Sequence, residues 1–280
     1  MTRNFYFLLG ITIVLLTGCI PEPLPVSNIP TLEPKIVVSS QFIPDVGFVV
    51  FVSKSIGALD AGDESDSEEL ISQIAIDDAI VTITNANEVD TLQNLGTGLY
   101  GGLKTDWQSN TNYQLTVISP ELGSVRATTQ VPAFVPFEQV GARILDNGYD
   151  SLAEITYQLL DPAGVNFYMI NVQRFSTQQD VGSLLNPRIF TKLLEDTDFE
   201  GQLRSETFNV LFQEFSKGDS IAVSMANISP AYYQFLKLRS ESRFSFVEFA
   251  GEPINYPSNV EGGYGFFNLH TPDVRLFSLE

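Results

Sequence analysis

KIVVSSQFI at residues 35–43 and VGFVVFVSK at 46–54, with Pro44-Asp45 between them, decide the fold class. Both segments are rich in Val, Ile and Phe, and the dipeptide between them has turn chemistry, so they read as two strands. The pattern recurs downstream. AIVTITN (79–85) and YQLTVIS (113–119) alternate apolar residues with Thr, and RATTQV (126–131) follows a turn at Glu121-Leu122-Gly123. Tyr100 and Trp107 flank a Gly-rich turn. Short strands at intervals of about ten residues predict an immunoglobulin-like β-sandwich over 35–133. PAFVPF (132–137) then breaks the pattern with two prolines and is read as a domain boundary.

Beyond it the strands resume. LAEITYQLL (152–160) and NFYMINVQRF (166–175) around Asp161-Pro162-Ala163-Gly164 read as a hairpin, and ETFNVLFQEF (206–215) and SIAVSMANI (220–228) around Ser216-Lys217-Gly218-Asp219 read the same way. Ser229-Pro230 supplies an N-cap and a proline for the first helical position, which predicts a helix near 230–242. The tail reads as a loop, a Gly-rich turn and a last strand from Asp273. The expected fold is mainly β: an N-terminal immunoglobulin-like sandwich, then a second β-rich domain over 134–280 with one short helix. No period of 20–50 residues recurs, which argues against a solenoid or propeller.

The N-terminus is of another kind. Arg3 precedes an apolar run from Phe5 to Leu16, and Thr17-Gly18-Cys19 follows. That is the pattern of a secretory signal peptide, and the run is shorter than the roughly 20 residues of a membrane span. Cys19, the chain's only cysteine, stands where the lipobox of bacterial lipoproteins places it. Residues 1–18 are expected to be removed, with diacylglycerol and an N-acyl chain carried on Cys19. Acyl chains at about 0.8 kcal/mol per buried CH₂ anchor durably without a span. Residues 19–34 contain five prolines in the last fifteen, an extended tether.

Charge narrows the partners. Lys plus Arg is 15 against 34 Asp plus Glu, a net −19, so nucleic acid is excluded as a partner. One Cys and one His leave neither a disulfide framework nor a two-His zinc site. The acidic run LDAGDESDSEEL (59–70) offers Asp60, Asp63, Asp66 and Glu68 as oxygen ligands for calcium, but their register is not that of an EF-hand. A solvated insertion is the expected reading. Glu195, Asp196, Asp198 and Glu200 in LLEDTDFEGQ (193–202) are read as a second exposed acidic loop. No G-x-S-x-G nucleophile elbow occurs, and the NLHTPDV context of His270 has no helix or elbow signature, so it is expected to be non-catalytic. No catalytic residue, metal or cofactor beyond the lipid is assigned, and an enzyme is not expected. Exposed aromatics beside Gly and Asn suit an interface, and Tyr256, Tyr264, Phe266 and Phe267 are the candidate partner-binding residues. The alternative is that they fill the second core.

The order of these segments resembles one family. EPKIVVSSQF, DDAIVTITN, GLYGG, NYQLTV and TTQVP, then ISPAYYQFLKLRS and PSNVEGGYGFFNL, are similar to the successive motifs of DUF4249. The acidic insertion at 59–70 departs from the pattern, as does VSSQF where a Gly is usual. The resemblance implies an outer-membrane lipoprotein of Bacteroidota, facing the periplasm or the cell surface. Because such proteins are commonly encoded beside TonB-dependent receptors, it implies a binding or accessory role to one of these in nutrient uptake. A structural or adhesive envelope protein that binds polysaccharide is the alternative.

Overall fold

Along Ile36–Ile43 (β1), Ile36, Val38 and Ser40 point inward, and the strand pairs antiparallel with Gly47–Lys54 (β2) from Ile36↔Lys54 to Ile43↔Gly47. The quoted stretch is therefore a hairpin, as its turn chemistry predicts. The computed structural model describes residues 33–44, 46–57, 67–102, 107–146, 151–175, 189–210, 215–242 and 256–280. The expected signal peptide at 1–18, Cys19 and nearly all of the expected tether at 19–34 lie outside the described residues.

A helix at Ser67–Ile74 (α1) follows. It was not expected, because the acidic stretch in which it begins reads as an insertion. SEELISQI nevertheless has no Gly or Pro, and its acids stand in the first turn, where the helix dipole favours them. Then come Ile80–Thr84 (β3), Val89–Thr91 (β4), Gln93–Gly96 (β5), Leu99–Gly101 (β6), Asn112–Ser119 (β7) and Gly123–Gln130 (β8). Gln139–Asp146 (β9), Ser151–Leu160 (β10), Phe167–Arg174 (β11), Ile189–Glu195 (β12), Leu203–Val210 (β13) and Ser220–Asn227 (β14) build the second half. Pro230–Ser242 (α2) matches the helix expected from Ser229-Pro230. Val260–Glu261 (β15), Tyr264–Phe266 (β16) and Asp273–Ser278 (β17) close the chain.

The first sandwich faces a sheet ordered β16-β1-β2-β6-β5 with one ordered β15-β8-β7-β3-β4. Val38, Val50 and Val52 from one meet Val81, Leu115 and Val117 from the other. Trp107, the only tryptophan, packs edge-on to Phe48 and Tyr113 in this core. The second sandwich faces β13-β10-β9 with β12-β11-β14-β17. Tyr157, Leu159, Tyr168, Val172 and Val223 fill it. The four-stranded sheet is covered on its other face too, where Phe167, Met169 and Ala226 meet Tyr232 and Tyr233 of α2.

Three expectations change. The segments 152–160 and 166–175 do not pair: β10 pairs with β9 and β13, whereas β11 pairs with β12 and β14. The same is true of β13 and β14, the described strands of the second expected hairpin, which lie in opposite sheets; residues 211–214 lie outside the described residues. In both places the turn is an arch between layers, and the two strands bury their apolar faces against each other. The boundary at 133/134 separates the sandwiches only in part. β15 and β16 return to the first sandwich, where Val260, Phe267 and Leu269 join its core, and residues 34–280 form one unit.

Candidate functional site

The returning segment 256–270 gathers four sequence-predicted residues. β15 pairs antiparallel with β8 of one sheet, and β16 pairs parallel with β1 of the other, so the segment stitches the two sheets. Tyr256 and Tyr264 remain on the surface, at 39% and 47% exposure. Tyr256 meets Phe235 edge-on, and the Lys35 ammonium lies 5.3 Å from the Tyr264 ring. Phe266 and Phe267, expected as exposed aromatics, are instead buried within the chain. Phe266 packs between Tyr232 and Phe235, and Phe267 is fully buried against Phe48. Strand pairing turns these neighbours to opposite sides, and each side is covered, one by α2 and the other by the first core. The flanking glycines look like loop material but serve close approach of backbones.

A polar seam runs beneath this segment. The Tyr232 N–H donates to Ser229 Oγ at 3.3 Å, which caps α2, and Ser229 Oγ donates to Asn268 Oδ1 at 3.3 Å. The Asn268 Nδ2 is 3.1 Å from His270 Nδ1, so the ring accepts there. Ser40 Oγ of β1 accepts from the Asn268 N–H at 2.8 Å and donates back to its carbonyl at 3.1 Å. Asn259 exchanges two bonds with Phe267, its Oδ1 accepting at 2.8 Å and its Nδ2 donating at 2.7 Å. Sequence reading missed these residues. The available signal was a run of Ser and Asn among apolar neighbours, which burial obliges to pair.

His270 sits 5% exposed, stacked near Tyr232, and burial pulls its imidazole down to about 4. Burial likewise pushes the Tyr232 phenol up to about 12. The ring is therefore neutral at pH 7, with Nδ1 held by Asn268. Ser229→Ala should cost about 1 kcal/mol for the lost cap and about 1 kcal/mol more for the orphaned Asn268 oxygen. A lowered denaturant midpoint, largely restored by Ser229→Thr, is the expected result.

The acidic candidates divide. Asp60, Asp63 and Asp66 lie outside the described residues, and Glu68 is described only as backbone in α1. The second cluster is not simply an exposed loop. Asp196, 2% exposed, accepts the Asn166 N–H at 2.6 Å and heads a 3-10 turn at Asp196–Asp198. Asp161, also 2% exposed, accepts from the Tyr168 hydroxyl and from the Gly201 N–H at 2.8 Å. Burial, followed by Asp161, raises the Tyr168 phenol well above its ordinary range. Among the described residues no three His, Cys, Asp or Glu side chains gather as metal ligands.

Two further places in the second sandwich carry charge or concavity. Glu206 accepts from Lys192 at 2.8 Å, Tyr157 at 3.0 Å and Arg204 at 3.2 Å. Burial would raise this carboxyl, but the bonds from Lys192 and Tyr157 overcome it and hold it below its ordinary value. Lys192 is on β12 and Glu206 on β13, so the cluster ties one lateral edge of the sandwich, beside the stacked Phe190 and Phe208. On the other edge, β9 and β17 leave an open groove lined by Phe137, Val140 and Phe277. Neither place joins a nucleophile to a base.

Residues 23–274 match the family model described as "Domain of unknown function (DUF4249)". No curated protein matches the chain.

Proposed function

The chain belongs to the DUF4249 family, and from that premise we propose that it is a lipid-anchored outer-membrane protein that assists a TonB-dependent receptor in nutrient uptake. The observation that carries this reading is the position of the only cysteine. Cys19 follows an apolar run ending at Leu16 and a Gly18, and a Pro-rich stretch separates it from the folded body. Lipid on that thiol holds the body at a membrane surface, and the tether gives it reach. Among the described residues no helix is long and apolar enough to cross a membrane.

A binding role fits the chemistry of the body better than turnover does. Among the described residues, buried His270, Asp161 and Asp196 and half-buried Glu206 each hold structure together: His270 in the seam, the two aspartates at the loops, Glu206 at the edge. A carboxylate committed to backbone N–H groups is not poised to move a proton to a substrate. The strongly acidic body also disfavours adhesion to an anionic lipid surface, which leaves the acyl chains as the membrane contact.

Mild-detergent purification of the tagged protein from its own envelope tests this reading, with Cys19→Ala as control. Near-equal recovery of a TonB-dependent barrel with the wild type, and at least a tenfold loss with Cys19→Ala, is the expected result. Recovery of the lipoprotein alone at low salt would overturn it. Retention on envelope polysaccharide without a barrel would replace it with the adhesive reading.

A further inference from the structure

We propose that the tip formed by loops 161–166 and 196–202 of the second sandwich is the docking face, and that its partner presents an apolar depression ringed by Lys or Arg side chains. This rests on the receptor-accessory reading above and names the surface that performs it.

The tip shows apolar side chains to water at three places. Leu160 of β10 stands directly opposite Leu203 of β13 on the outward face, at 51% and 55% exposure. Val165, in the adjoining loop, is 74% exposed. A single exposed apolar residue is ordinary, but a cross-strand Leu pair with an exposed Val five residues along the chain points to a contact.

The loops between and beside them, one of which carries Val165, are tied by hydrogen bonds. The Asp161 N–H donates to the Gln202 carbonyl at 3.1 Å, and the Asp161 carboxylate takes the Gly201 N–H and the Tyr168 hydroxyl. Asp196 takes the Asn166 N–H, and the Asn166 Nδ2 donates to the carbonyls of Pro162 and Gly164. Burying two carboxylates is costly, and a turn needs no such device. The turn between β7 and β8 has a Ser119 hydroxyl accepting the Leu122 N–H at 3.3 Å. Pinned loops present their apolar residues without an ordering cost on binding, which is the usual basis of tight docking.

Charge selects the occupant. Glu195, Asp198 and Glu200 are exposed around this tip. Among the described residues no cation lies within ion-pair distance of them, whereas Glu154, Glu206, Asp219 and Asp273 each have one. An apolar tip flanked by three acids without a cation partner, with Arg204 committed to Glu206 and the Phe199 ring, complements a cation-rimmed depression on a protein and is repelled by anionic lipid.

The test uses the full-length lipidated protein in its own envelope. A photo-reactive phenylalanine replaces Val165 or, as a matched control, Val89, which is 73% exposed on β4 of the first sandwich. At least tenfold more adduct with the barrel from 165 than from 89 is expected. A combined Val165→Ser and Leu203→Ser protein should recover about tenfold less barrel. Both positions are exposed, so its denaturant midpoint should match the wild type. Equal adducts from 165 and 89, with undiminished recovery by the double variant, would overturn the tip and leave the accessory reading standing. Adduct with lipid alone from 165 would overturn the tip in favour of a membrane contact. No barrel with the wild type and no protein adduct from 165 would overturn both.

Discussion

Gly265→Ala is expected to be the most damaging single methyl in the described chain, costing roughly 4 kcal/mol. Gly265 sits at φ +104°, and its neighbour across the ladder is Val38. A Cβ there would fall on the Val38 carbonyl oxygen, far inside van der Waals contact, with the Val38 carbonyl carbon and amide nitrogen close behind. Backbone strain accounts for about 1–2 kcal/mol. Overpacking adds about 1–3 kcal/mol, toward the upper end because backbone on the partner strand cannot rotate away.

Gly201→Ala separates the two contributions. Gly201 has φ +68°, yet nothing lies within 4 Å of an added Cβ. It should lose only about 1 kcal/mol. Trp107 reports on the first sandwich, because it is the only tryptophan and lies buried against Phe48. Denaturant unfolding followed by its fluorescence should show Gly265→Ala far below Gly201→Ala. Equal midpoints would mean that β16 can leave β1 without weakening the sandwich. The stitching role of the returning segment would then fall.

The same glycines explain what was legible in the sequence and what was not. The strands were readable where one face is buried and the other wet. β7 alternates buried Tyr113, Leu115 and Val117 with half-open Gln114 and Thr116, and the eye finds that period at once. β15 and β16 are two and three residues long, with Gly262 and Gly263 between them, so no period can form. β9, QVGARILD, was missed because an edge strand mixes Gly and Arg into a half-buried face. Pairing failed for a different reason. Asp161-Pro162-Ala163-Gly164 makes a reversal, but local turn chemistry does not say whether the next strand joins the same sheet or the facing one. Tyr157 and Tyr168 decide that by both pointing into one core.

Site residues divide along similar lines. Composition identified Tyr256 and Tyr264 as surface aromatics, but it could not distinguish them from Phe266 and Phe267, whose covers lie far away in the chain. Leu160, Val165 and Leu203 carried no signal at all. Exposure of an apolar residue depends on which layer the strand joins, and that is settled by the arch they flank.

The stability of the fold should fall between about pH 6.5 and pH 4 by up to about 3 kcal/mol through His270 alone. Burial lowers its folded value to about 4 from the ordinary 6.5. Above pH 6.5 the imidazole is neutral in both states and contributes nothing to the difference. Below it, the unfolded chain takes a proton that the folded chain refuses, so stability drops by about 1.4 kcal/mol per pH unit until the buried ring is protonated. Carboxylates add their own slope below about pH 5, so the wild type must be compared with His270→Gln rather than read alone. The variant starts lower at pH 7, having disturbed the seam, but should lose less between pH 6.5 and 5. His270 is the only histidine, so that difference in slope has a single source. Equal slopes would mean that the ring is hydrated and protonates in place, and that Asn268 and Tyr232 do not seal it. A smaller slope in the variant, with Trp107 fluorescence unchanged before unfolding, would show that acid acts first by charging this seam, where the cap of α2 meets the strand that stitches the first sandwich.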